Sequence, residues 1–142
     1  MSGFLLDTNV ISELVRPRPE ANVTTWIEGT DESLLYLSVL TLGEIRRGVA
    51  ALPQSRRRAI LEAWLDKDLR ARFNERILAI DQEVADRWGL LTAAARKHGI
   101  VLPVIDGLLA ATALEHNLTL VTRDIGQIPA MGVMVFNPWD EN

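Results

Sequence analysis

The sequence predicts an α/β fold in which helices cover both faces of a parallel sheet, a three-layer sandwich. Three observations point there. Five short apolar runs recur along the chain with helical patterns between them. The runs are continuously apolar instead of alternating, which suits strands buried on both faces. No repeat, low-complexity tract or flexible linker divides the 142 residues, only short punctuation such as Arg16-Pro17-Arg18-Pro19, so one domain over 1–142 is expected.

The first run, Phe4-Leu5-Leu6, predicts a strand that ends at Asp7. Short helices are expected over Thr8–Val15 and Glu20–Glu28, then a strand at Leu35-Tyr36-Leu37. Apolar residues three and four apart predict helices over Thr41–Leu52 and Pro53–Glu75. In the second of these, Ile60, Leu61, Trp64, Leu65, Leu69 and Phe73 form one stripe. Ile77-Leu78-Ala79-Ile80 reads as the third strand. A helix over Asp81–His98 places Val84, Trp88, Leu91 and Ala95 on one face and stops at Gly99, as a left-handed C-terminal residue would. A Leu- and Ala-rich helix is expected over Ile105–His116, followed by strands at Leu118–Val121 and Val133–Phe136. Trp26 fits a helical core stripe, and Trp139 lies in a Pro-containing tail where it packs the terminus.

Composition removes several function classes. Cys is absent, which excludes disulfide frameworks, thiolate zinc sites and thiol nucleophiles together. No uninterrupted apolar run approaches the ~18 residues of a membrane span, and Met1–Leu6 lacks the basic start and length of a signal peptide. A soluble, cytoplasmic protein with no membrane partner is expected. No glycine-rich phosphate loop of the NTPase or dinucleotide type is present. The formal net charge is −4, so a nonspecific basic nucleic-acid binder is excluded. The charge is uneven, however. Between Arg46 and Arg76 nine basic residues face four acidic ones. That segment is either a solvated helix face or a positive rim beside an acidic pocket, able to draw in a polyanion.

Ligands of such folds bind beyond the carboxyl ends of the strands, and four carboxylates are expected there. Asp7 ends the first strand, Glu44 lies shortly after the second, Asp106 opens the Leu-Ala helix and Asp124 follows the fourth strand. Each also fits a local role. Asp7 and Asp106 stand where Asp caps a helix, Thr41 with Glu44 spells a capping box, and Asp124 suits a turn. Their joint occurrence at one edge points elsewhere. Converging carboxylates repel, and an all-oxygen donor set with no Cys matches a hard cation, Mg²⁺ or Mn²⁺. Such an ion, holding an activated water against a phosphodiester, makes hydrolysis of a nucleic-acid backbone the expected chemistry. Thr8 and Thr122 are placed to support a carboxylate or a metal-bound water, and Asn9 to fix the loop after Asp7. Arg123 is a candidate contact for substrate phosphate. His98 and His116 fall at helix ends, where histidine bonds the last carbonyls.

Asp7-Thr8-Asn9 after a strand, the early helical Glu44, Asp106-Gly107 with Ala110-Ala111-Thr112, and Thr122-Arg123-Asp124 resemble the PIN-domain ribonucleases, in the VapC toxin branch. The likeness runs from Phe4 to Trp139 with the motifs in order. It implies a PIN-like α/β/α sandwich and Mg²⁺- or Mn²⁺-dependent cleavage of RNA. It also implies a homodimer, and inhibition by a cognate antitoxin that is a small DNA-binding protein. By the same resemblance Asp7, Glu44, Asp106 and Asp124 match the acidic quartet, with Asp7 and Asp106 the direct metal ligands and Thr8 and Thr122 the supporting hydroxyls. Many relatives carry Asn at the Asp124 position and an Asp-Phe pair shortly after it. Here that stretch reads Gly126-Gln127-Ile128, so the fourth acid must be Asp124.

Two other functions fit the acidic edge less well. A related nuclease acting on other nucleic acid shares every feature above. A receiver-like signalling module needs a lysine after a late strand, and the only lysines are Lys67 and Lys97.

Overall fold

The computed structural model describes residues 3–140. Five strands form one sheet: β1 (Phe4–Leu6), β2 (Leu35–Ser38), β3 (Ile77–Leu78), β4 (Thr119–Val121) and β5 (Val135–Phe136). Their order across the sheet is β3-β2-β1-β4-β5, and every pairing is parallel. Because β1 lies between β2 and β4, the connections leave it in opposite directions. The carboxyl ends of β1 and β4 therefore flank a topological switch point, where a crevice opens in sheets of this kind.

Alternate strand residues point to opposite faces, and both faces are covered. Leu6, Leu35, Leu37 and Val121 pack with Val10 and Ile11 of α1 (Thr8–Leu14), Val23 and Ile27 of α2 (Ala21–Glu28), and Ile45 and Val49 of α3 (Val39–Ala50). Leu5 and Leu120 pack with Leu109, Ala110 and Ala113 of α7 (Val104–His116), with Leu91 of α6 (Gln82–Lys97) against that cluster. The continuous apolarity of the strands thus reflects a three-layer α/β/α sandwich, as the sequence implied. Strands β3 and β5 are shorter than their apolar runs, because each pairs on one side only at the edge of the sheet.

The long helix expected over Pro53–Glu75 is divided. After α4 (Arg56–Ala63) a π-helical turn spans Trp64–Leu69 before α5 (Arg70–Phe73). A π turn adds a residue to the helical repeat and rotates the face that follows. Leu65, Leu69 and Phe73 are buried by this rotation, whereas Ile60, counted in the same stripe, is 59% exposed. Helix α6 ends as expected. Gly99 has φ +76°, and Ile100 N–H donates to the Ala95 carbonyl at 2.9 Å. Trp26 packs edge-on to Phe4 at 5.1 Å and against Phe136 at 5.2 Å.

Glu13 is only 5% exposed and closes the turn between α1 and α2. Its Oε2 accepts the Glu20 N–H at 2.8 Å, and its Oε1 faces Arg16 at 3.3 Å. The fold commits Glu13 to this turn. Glu13→Ala is expected to cost about 1–3 kcal/mol, since it strips a donor of its acceptor. Glu13→Gln should lose less. Urea denaturation of both variants checks the ranking.

Candidate active site

Asp7 is the residue at which β1 becomes α1. Its N–H completes the ladder by donating to the Val121 carbonyl at 2.9 Å. Its Oδ1 caps the helix by accepting the Thr8 N–H at 2.7 Å, so the capping role read from the sequence is real. The other oxygen is turned across the sheet, where Oδ2 accepts the Thr122 hydroxyl at 2.8 Å. Burial raises the Asp7 carboxyl above the usual aspartate range. The Thr122 and Thr8 hydrogen bonds oppose that rise, and the charges of Glu44 and Asp106 add to it.

Thr122 is fully buried and serves three partners. It donates to Asp7, and its Oγ1 accepts from Asn9 Nδ2 at 3.3 Å and from the Asp124 N–H at 3.0 Å. Asn9 reaches further, with Nδ2 3.4 Å from Asp124 Oδ2 and Oδ1 accepting the Arg123 N–H at 3.4 Å. The start of α1 and the loop after β4 are laced together by these short polar side chains. Thr122→Val is expected to lower activity about 10–100-fold, the scale on which partners that orient metal-ligating groups register, with the fold retained. Steady-state cleavage rates beside a thermal melt separate the two effects.

Glu44 departs from the capping box expected with Thr41. Helix α3 begins at Val39, and its cap is Ser38, whose Oγ accepts the Leu40 N–H at 3.0 Å. Thr41 therefore lies inside the helix, buried, with its hydroxyl unpartnered. Glu44 is released from any capping duty, and its Oε1 accepts a short hydrogen bond from the Thr8 hydroxyl. Asp106 is no cap either. The cap of α7 is Pro103, and Asp106 sits in the first turn. Burial first, then the charges of Glu44 and Asp124, raise its carboxyl, and no hydrogen bond counters them. Gly107 lets this turn approach α6: a Cβ there would stand 3.0 Å from Trp88 Nε1.

All four sequence-predicted carboxylates are thus at the carboxyl edge: Asp7 feels the charges of Glu44 and Asp106, and Asp106 those of Glu44 and Asp124. Among the described residues no Lys or Arg forms an ion pair with any of them. They also do not close into a ready-made cage: no group of three His, Asp or Glu among the described residues stands in metal-holding array. The donors are all oxygen, two are held above their ordinary pKa by burial and by neighbouring acids, and no Lys or Arg among the described residues pairs with them. That set fits a hard divalent cation that would draw the carboxylates together on binding.

Two clefts flank the acids. One, of about 280 Å³, is lined by Thr8, Ser12, Arg16, Glu44, Arg57 and Trp64, among others. The other, of about 350 Å³, joins Asp106 and Asp124 to Pro103 and Gln127. Of the basic residues between Arg46 and Arg76, Arg46, Arg58, Arg72 and Arg76 are paired to Asp66, Glu62 and Glu32. Arg57 has no such partner among the described residues and stands in the first cleft, so part of that segment is a positive rim and part a solvated, ion-paired face. Arg16 was not singled out from the sequence. The signal was its spacing, since Thr8, Ser12 and Arg16 lie four apart on one face of α1 and its end. Neither histidine lines these two clefts; His98 ends α6 and His116 ends α7.

A family model described as the PIN domain matches residues 4–129. Toxin FitB of Neisseria gonorrhoeae (strain ATCC 700825 / FA 1090) is 41% identical over 97% of this chain and 99% of that protein. VapC ribonuclease Y4jK of Sinorhizobium fredii (strain NBRC 101917 / NGR234) is 38% identical over 96% and 98%. A solved structure of FitAB bound to an IR36 DNA fragment superposes with a TM-score of 0.93 at 39% identity, covering 98% of this chain and 97% of that one.

Proposed function

We infer the function from one premise: the chain belongs to the PIN-domain family. On that premise the protein is a toxin of a toxin–antitoxin pair, a metal-dependent endoribonuclease that hydrolyses RNA phosphodiesters. The observation that carries this reading is the acidic edge itself. Asp7, Glu44, Asp106 and Asp124 arrive from separate segments of the chain, two of them have raised pKa values, and no basic side chain among the described residues pairs with them. The names of the relatives FitB and VapC ribonuclease Y4jK support the toxin and ribonuclease assignments.

Asp7 and Asp106, with Glu44 and Asp124, are the residues that would hold Mg²⁺ or Mn²⁺. Such an ion, when bound, supplies Lewis-acid stabilisation of phosphate charge and lowers the pKa of water. The chain's own residues do the rest. Thr122 and Thr8 fix the Asp7 and Glu44 carboxylates in orientation, and Asn9 ties the Asp124 loop to α1. Arg57 gives the adjoining cleft positive charge for the flanking phosphates, beside Arg16, whose charge is shared with Glu13. Arg123 adds a further cation beside Asp124. Neither His98 nor His116 lines the two clefts beside the acids, so direct attack by water and products with 5′-phosphate and 3′-hydroxyl ends are expected.

The chain acts as one domain in the cytoplasm, as a homodimer, and is restrained by a small DNA-binding antitoxin. The FitAB complex on DNA supports such a partner. No helix among the described residues is long and apolar enough to cross a membrane. Sequencing of RNA ends after brief induction tests the assignment. Discrete cuts with 5′-phosphates that vanish on chelation are expected. Cleavage undiminished by excess chelator, or 2′,3′-cyclic phosphate ends, would overturn it.

A further inference from the structure

Arg123 stands between Thr122 and Asp124, yet its guanidinium does not turn to a carboxylate. It lies over the Trp139 indole, 5.1 Å from the ring centroid. The ring is fixed through its backbone. Trp139 N–H donates to Asn137 Oδ1 at 2.8 Å, and its carbonyl accepts from Asn22 Nδ2 at 3.1 Å. The indole also packs against the core cluster that holds Leu6 and Val121. Arg123 is anchored at its other end, where its N–H donates to Asn9, the side chain that also reaches Asp124.

An exposed arginine one residue from an acidic cluster would ordinarily fold onto a carboxylate. Here it forms no ion pair among the described residues. Stacking engages the flat face of a guanidinium and leaves its in-plane N–H donors free, the donors that match phosphate oxygens. A platform also removes much of the rotamer entropy that a loose arginine loses on binding. We propose that Trp139 is a positioning residue that holds Arg123 at the mouth of the acidic site to bind a phosphate of the RNA strand next to the one cleaved. This rests on the ribonuclease reading.

Binding of a short fluorescein-labelled oligouridylate to the Asp106→Asn protein tests it without cleavage. Arg123→Gln is expected to weaken binding about tenfold and to reduce the salt slope by about one phosphate contact. Trp139→Ala is expected to weaken it about two- to fivefold, with Trp139→Phe restoring most of the loss. Combined with Arg123→Gln, Trp139→Ala should add nothing further, because the ring acts only through the arginine. In the active protein both changes should raise KM and leave kcat in place. Additive losses, or a Trp139→Ala protein that melts earlier yet binds as before, would leave the ring a packing residue and overturn the proposal. Binding unaffected by either substitution overturns it alone; no RNA binding by the parent Asp106→Asn protein overturns it together with the ribonuclease reading.

Discussion

Asp106→Asn is expected to lower RNA cleavage by roughly 10³-fold or more, the scale at which removal of a catalytic side chain registers, with the fold unchanged. The position makes the substitution clean. Asp106 is not the cap of α7, and among the described residues its carboxylate takes no hydrogen bond that an amide would break. Only charge is removed. A carboxylate in the first turn gains about 0.3–1 kcal/mol from the helix dipole, and losing that offsets the relief of burying a charge near Glu44 and Asp124. The melting midpoint should therefore barely move. Asp7→Asn should abolish cleavage as well, but it is less clean. Asn still caps α1, whereas its amide group presents only one acceptor in place of the two oxygens that meet Thr8 and Thr122. Cleavage rates on one RNA beside circular dichroism melts decide the matter. An Asp106→Asn protein that cuts at the parent rate would remove this carboxylate from the site.

Much of this arrangement was legible before any coordinates. The positions of Asp7 and Asp124 follow from apolar strands punctuated by acids, because parallel strands deliver every such residue to one edge, and Asp106 joins them from the first turn of the helix that leads into β4. What stayed hidden was how each local alternative would resolve. Thr41-x-x-Glu44 spells a capping box, and the rule failed because Ser38 starts the helix three residues earlier. Asp106 looked like a cap because Pro103-Val104-Ile105 carries no polar signal, yet proline served as the boundary. Asp7 met both readings at once, one oxygen on its helix and one on Thr122. The stripe from Ile60 to Phe73 assumed an unbroken period of 3.6, and the π turn at Trp64–Leu69 shifted it, which left Ile60 outside. Long-range polar contacts such as Asn9 to Asp124 have no sequence signature, since they depend on how far the first turn of α1 and the loop after β4 lie apart once the sheet has formed.

Mg²⁺ or Mn²⁺ at about a hundred times its dissociation constant is expected to stabilise the parent protein by about 2.7 kcal/mol, and the Asp106→Asn protein much less. The reason lies in the metal-free state. Asp7 and Asp106 titrate above the ordinary carboxylate range because burial and neighbouring acids disfavour their charged forms. In the pH window between the unfolded and folded values, the folded protein therefore binds more protons than the unfolded chain, and stability falls as pH rises. Above that window the full penalty persists, so at neutral pH the ion-free protein carries a strain that a divalent cation relieves. Acidification should work in two directions at once. It lightens the penalty on the ion-free fold, and it weakens the cation's grip, because its ligands must be deprotonated. The gain from the ion should consequently shrink as pH drops through the window, while the ion-free protein itself becomes easier to keep folded with respect to these two groups. Thermal melts at several pH values, with NaCl matched for ionic strength as the control, read both trends. An equal shift in parent and variant, or one reproduced by NaCl alone, would mean that the four carboxylates do not share a cation, and the chemistry assigned to this edge would have to be given up.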